Sequence, residues 1–418
     1  MAPVQIKQED ITSDLDKTIN QLLETQIFGH GGRKPGTNAG KSIDWSHKLP
    51  EGARKRFEKY NIDLSGGYPV TPKKEIIPRF VDEVFALRGQ DYPYVERGKN
   101  ADPEKKALFG AAKEVRHLTK HIGTEIVGLQ LSDLTDQQRD ELALLIGERV
   151  VVFFRNQDLS PQKQLELGKY YGQVEIHPQV PRVPNDKNGD DLNGISTIWQ
   201  DYLIANFGLP LTFKKAAFNG NSVWHTDLVH EYQPAGITHL HLDSIPDVGG
   251  DTLWASGYAA YDKLSPAFQK FLDGKKAIFR SAHKYLDREN PLAGPQFVER
   301  EHLLVRTHPA TGWKSLYVNR GLTVRIVDLE PEESKLILEY LYGVYEKNHD
   351  IQVRFNWKSD SGLGTSALWD NRISQHNAVW DHEGEEARHG TRVTSLAEKP
   401  FFDENSKSQR EALGLPLN

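Results

Sequence analysis

His225 and Asp227 stand one residue apart in "VWHTD", and His376 follows far along the chain in "LWDNRISQH". On an extended strand, residues i and i+2 share a face, so the first two can direct a ring nitrogen and a carboxylate oxygen at one point. Two imidazoles and one carboxylate, with coordination positions left open, are the donor set of non-haem Fe(II) oxygenases. A lone His-x-Asp pair is ordinarily a structural hydrogen bond, and this chain of 16 histidines holds a second such pair, His241 and Asp243. The third candidate ligand, His376, tips the reading toward a metal. The chain has no cysteine, which excludes disulfides, thiolate zinc sites, iron–sulfur clusters and thiol nucleophiles. Any metal must be held by His, Asp or Glu.

Two arginines extend the constellation. Arg388 and Arg392 lie in "RHGTRVTS", and if that segment is a strand their even spacing turns both guanidiniums to one face. Arg grips carboxylates and sulfonates with a planar fork. In "VGGDTLWAS", Gly249 and Gly250 permit a tight turn, and the Thr252 hydroxyl could face the cavity of Arg388. Spacing alone favours an ordinary hairpin turn there. Trp224, Trp254 and Trp369 flank these motifs and read as core packing; Phe207 reads equally as lid or as packing.

The elements that must carry these residues are mostly short strands: "SVWHTD", "ITHLHLDSI", "GDTLWAS", "KSLYVN", "SALWDN" and "RHGTRVTSLA". Thr135 and Gln138 form a capping box opening one helix, and Ser160–Pro161 opens another. The pattern predicts a mainly β (α+β) protein with a double-stranded β-helix, a jelly-roll or cupin-like core, and flanking helices. Residues 1–115, polar and broken by Gly and Pro, read as an N-terminal extended arm. Residues 116–400 form the core domain, with a lid-like insertion at 182–220, and 401–418 form a tail. The net charge of −6 and the lack of a Lys/Arg run argue against nucleic acid. No apolar stretch reaches the roughly 20 residues of a membrane span. The acidic N-terminus fits no targeting peptide, so a cytoplasmic location is expected.

Taken together, "VVFFRNQ", "VEIHP", "VWHTD", "GGDTLWASGYAAYDKLSP", "LWDNRISQH" and "RHGTRVT" resemble the TauD/TfdA-type Fe(II)/α-ketoglutarate-dependent dioxygenases, in particular the fungal sulfonate branch. The resemblance implies Fe(II) on His225, Asp227 and His376, and O2 as oxidant. It implies α-ketoglutarate held by Thr252 and Arg388, and a sulfonate held by His177, Asn221 and Arg392. It assigns His241–Asp243 to a core strand. The implied reaction hydroxylates a small anionic substrate such as taurine, releasing sulfite and an aldehyde with succinate and CO2. The same chemistry on a carboxylate or amino acid in a fungal biosynthetic pathway is the rival reading. A non-catalytic cupin-like binding protein is disfavoured, since every ligand and both arginines are present. One departure concerns substrate: the family's tyrosine three residues after His177 is Val180 here. A homo-oligomer, dimer or tetramer, is also implied.

Overall fold

The computed structural model describes residues 43–72, 77–207, 224–379, 381–382 and 386–416. Asn221 and the side chain of Phe207 lie outside the described residues. The strands, in chain order, begin with β1 (Glu114–His117), β2 (Thr124–Val127), β3 (Val151–Gln157), β4 (Ser196–Trp199) and β5 (Ala235–Ser244). They continue with β6 (Thr252–Ser256), β7 (Lys276–Tyr285), β8 (Gln296–Leu303), β9 (Val305–Thr307) and β10 (Lys314–Leu316). The last five are β11 (Thr323–Ile326), β12 (Gln352–Phe355), β13 (Gly364–Asp370), β14 (Ser374–Ala378) and β15 (His389–Leu396).

A seven-stranded sheet, ordered β1-β2-β3-β13-β5-β15-β4, faces a three-stranded sheet, β12-β6-β14. The chain crosses between these two sheets repeatedly, which is the jelly-roll arrangement. Central strands β5 and β13 are buried along nearly their whole length, so they read as continuous rather than alternating apolar runs. Between the sheets pack Phe153, Trp254, Phe355, Trp357 and Trp369. The Phe153 and Phe355 rings stack at 3.8 Å.

Local chemistry fixes the flanking helices. Thr135 and Gln138 close a capping box on the helix Asp136–Arg149, and Ser160 caps the helix Pro161–Tyr171 with Pro at its first turn. Residues 43–111 carry only short helices. They are nevertheless seated: Phe57 and Tyr68 are buried with Leu165, Trp199 and Tyr202, and buried Arg56 reaches Asp243 at 3.0 Å.

Two segments differ from the sequence expectation. The 182–220 insertion is not all connection, because β4 within it pairs antiparallel with β15 and forms an edge of the large sheet. The "SVWHTD" strand is absent among the described residues of that segment: only His225 bridges, and Asp227 opens a turn. The reason is that Thr226 directs its N–H to Asn319 Oδ1, at 2.5 Å, and its hydroxyl to the Ser374 carbonyl, at 2.6 Å. Leu228 follows at φ +54°, ending any extended run.

Candidate metal centre

His225 and His376 face each other across a single antiparallel bridge, exchanging both backbone hydrogen bonds at 3.1 and 2.8 Å. That exchange sets the two rings side by side, with centroids 4.2 Å apart. Asp227 joins them not as a strand neighbour but from the first position of the turn. Its N–H donates to Asn371 Oδ1 at 3.2 Å, while the Asn371 amide is itself pinned to the Gly236 carbonyl and Thr238. The result is one ligand atom from each of His225, Asp227 and His376, all within 4.8 Å of one another.

Asp227 and His376 are in the protonation states a metal needs. Burial alone pushes the Asp227 carboxyl up, but Arg392, His376 and His225 outweigh it and hold it below the usual range. Burial, with His225 nearby, pulls His376 down to about 3, so its imidazole is neutral at working pH. The buried Nδ1 of His376 has no hydrogen-bond partner, a nitrogen the fold leaves unsatisfied, where buried polar atoms are normally paired. Two imidazoles, an ionised carboxylate and no sulfur suit a ferrous ion.

The rival pair is occupied elsewhere. His241 shares a hydrogen bond with Ser366 at 2.9 Å, and Asp243 bonds His389 at 2.6 Å and Arg56 at 3.0 Å. All are buried polar groups with partners.

Thr252 lies opposite Ala378, two rungs from the His376–Trp254 pair and on the same face. Two residues span about 7 Å of strand, the scale of a five-carbon diacid. Arg388 is buried just before β15 begins, its Nε on the Gly250 carbonyl at 3.0 Å and an Nη on the Thr252 hydroxyl at 3.3 Å. Gly250 has φ +70°, and a Cβ there would come within 3.3 Å of the Arg388 side chain, so both the turn and the approach favour glycine. Burial pulls Arg388 down to about 10, still charged. Thr252 Oγ1 also accepts from Trp357 Nε1 at 3.1 Å. With two donors on its lone pairs, the hydroxyl keeps its own proton to give.

Arg392 sits on β15 and reaches both Asp227 carboxylate oxygens at 3.4 Å. Those contacts are longer than the ~2.7–2.9 Å of a tight charge-assisted bond, so the guanidinium retains capacity for an anion. Arg392, His225 and Asp227 line a cavity of about 140 Å³ together with His177, small beside the roughly 300–1,000 Å³ of drug-sized sites. The His177 ring stands edge-on to His283, centroids 6.0 Å apart. Val180 is not part of that lining. Trp254 and Trp369 are core residues, and Trp369 packs on the His376 ring at 4.9 Å; Trp224 is buried in a neighbouring cluster.

The sequence reading missed His283, Arg88, Glu175 and Glu231, which line the same cavity. Arg88 bridges the two glutamates, and their buried charges close a network at the cavity wall. Asn371 was visible only as part of a turn. His283 and Arg88 carried no local motif that could have marked them.

The fold and the cluster of two histidines and one carboxylate are those of a jelly-roll oxygenase. Residues 114–394 match the family described as "Taurine catabolism dioxygenase TauD, TfdA family", and the chain belongs to it. It is 36% identical over 327 residues to an alpha-ketoglutarate-dependent sulfonate dioxygenase of Saccharomyces cerevisiae, covering 75% of this chain and 74% of that protein. It is 33% identical over 321 residues to the alpha-ketoglutarate-dependent dioxygenase cnsM of Penicillium expansum, covering 74% and 85%. A taurine dioxygenase from Burkholderia xenovorans of known structure superposes with a TM-score of 0.57 at 28% identity, covering 70% of this chain and 91% of that one. Among the described residues no helix is long and apolar enough to cross a membrane.

Proposed function

We propose that this chain is an Fe(II)- and α-ketoglutarate-dependent dioxygenase that hydroxylates a small alkanesulfonate such as taurine. The observation that carries the reading is the convergence of His225, Asp227 and His376 within 4.8 Å beside a small cavity that Arg392 also lines. The three side chains hold Fe(II), which with α-ketoglutarate and O2 supplies the oxidising power for C–H hydroxylation.

The protein's own work is placement. Arg388 and the Thr252 hydroxyl bind the far carboxylate of α-ketoglutarate, one by charge and one by the proton it has left to donate. Trp357 and the Gly250 carbonyl hold that pair in register. Arg392 exchanges its loose contact with Asp227 for the sulfonate, and His177 lines the same anion pocket; Asn221 is assigned to it by family resemblance. This fixes the carbon bearing sulfur next to the centre, where a misplacement of ~1 Å can cost about 100-fold in rate. Hydroxylation there gives an adduct that loses its hydroxyl proton and expels sulfite as the C–S bond breaks, leaving an aldehyde. Succinate and CO2 account for the co-substrate. The enzyme works in the cytoplasm, where α-ketoglutarate is at hand.

The alternative is the same machinery on a carboxylate or amino acid, because a guanidinium such as that of Arg392 grips a carboxylate as well as a sulfonate. A panel of alkanesulfonates, sulfate esters and amino acids, with Fe(II), α-ketoglutarate and ascorbate, tests both. Sulfite and succinate released in equal amounts from a sulfonate is the expected result. Succinate coupled only to amino-acid turnover, with no sulfite from any sulfonate, would overturn it.

A further inference from the structure

The cavity beside the metal centre has one wall from outside the family domain. Pro78, Val84, Leu87 and Arg88 line it alongside His225, Asp227 and Arg392, yet the family match begins only at residue 114. The arm is fastened there at several points. Phe80 bridges Leu286, with the Val81 N–H on the Leu286 carbonyl and the Leu286 N–H on the Arg79 carbonyl, both 2.9 Å. Val84 packs with Tyr285 and Val298. Arg88 pairs with Glu175 and Glu231, all three largely buried. Tyr92 and Gln233 exchange hydrogen bonds just beyond.

The arm adds apolar surface to the cavity. The family domain contributes Arg392, histidines and the carboxylates of Glu175, Asp227 and Glu231 along with apolar Leu228 and Leu322, and the arm adds Arg88, which the two glutamates neutralise, and the apolar side chains of Pro78, Val84 and Leu87. A molecule with an anionic head on Arg392 and a short apolar tail against Pro78, Val84 and Leu87 matches that lining.

We infer that residues 78–88 form the tail-binding end of the substrate cavity and that Leu87 limits the length of tail the enzyme accepts. The inference rests on the substrate class proposed above. Arg88 is the anchor: with its two glutamates it holds the preceding helical turn, Val81–Leu87, against the opening. Leu87 is the specificity-determining side chain. It is 48% exposed, so replacing it leaves no core cavity.

The test compares two-carbon and six-carbon alkanesulfonates in wild type, Leu87→Ala and Leu87→Trp, through KM and through anaerobic calorimetric Kd in the presence of α-ketoglutarate. Leu87→Ala is expected to shift the six-to-two-carbon ratio toward the longer substrate on the order of 10-fold. Leu87→Trp shifts it the opposite way, and the α-ketoglutarate KM is unmoved in both. An unchanged ratio in both variants overturns the inference. If wild type releases no sulfite but turns over carboxylates, the sulfonate reading fails alone, and the same ratio measured on short and long carboxylates still tests Leu87.

Discussion

His225–Asp227 and His241–Asp243 carry the same three-residue pattern and meet opposite fates. The second pair lies on β5, a fully paired central strand, and each polar atom used there is spent on Ser366, His389 or Arg56. The first pair lies on a bridge and a turn at the edge of a cavity, where a third candidate donor, His376, and a loosely held Arg392 stand beside it. A His-x-Asp motif can therefore serve a metal only where the fold brings a third donor within reach beside a cavity. Both aspartates are kept ionised by arginine and histidine despite burial, so charge state does not separate them; connectivity does.

Exchanging the losses breaks the comparison most sharply. Asp227→Ala is expected to lower turnover by more than the ~10–100-fold seen when outer-shell partners of a metal are lost, with the metal-free unfolding midpoint nearly unchanged. Asp243→Ala does the reverse. It strands buried Arg56 and His389 and costs about 3–5 kcal/mol of stability, read by denaturant unfolding, while metal affinity in the folded fraction survives. Equal stability losses in both variants would erase the distinction.

Arg392→Ala sharpens the account of the cavity side. The sulfonate KM should rise on the order of 100-fold, with the α-ketoglutarate KM close to wild type. Thr252→Val should do the complement, raising the α-ketoglutarate KM by about 10-fold through one lost hydrogen bond to a charged group. Steady-state kinetics with each substrate varied in turn would expose a shared role.

A further contrast concerns pH. Burial pulls His239, on the same strand as His241, down to about 3, below its unfolded value of ~6.5. The unfolded chain then takes up a proton that the folded chain refuses. Stability from this group is full above the unfolded value and is lost as pH falls from ~6.5 toward 3. His239→Gln should flatten that part of the stability profile while leaving the pH dependence of turnover in place.

Much of this was legible in the sequence because it depended on local chemistry. The caps at Thr135 and Ser160 and the glycines before Thr252 announced their elements through spacing alone. The expected strand at "SVWHTD" was not realised, because Thr226 finds partners on Asn319 and Ser374, contacts no local pattern encodes. The strand Ser196–Trp199 was hidden in a polar insertion, being only four residues long and stabilised by pairing to β15. Arg88 was invisible for the same reason: its partners lie 87 and 143 residues away.

Metal content of purified, Fe(II)-reconstituted protein tests the central claim most directly. Wild type and His241→Ala should each bind one iron per folded chain, whereas Asp227→Ala should bind none. Iron retained by Asp227→Ala, or lost from folded His241→Ala, would place the centre elsewhere.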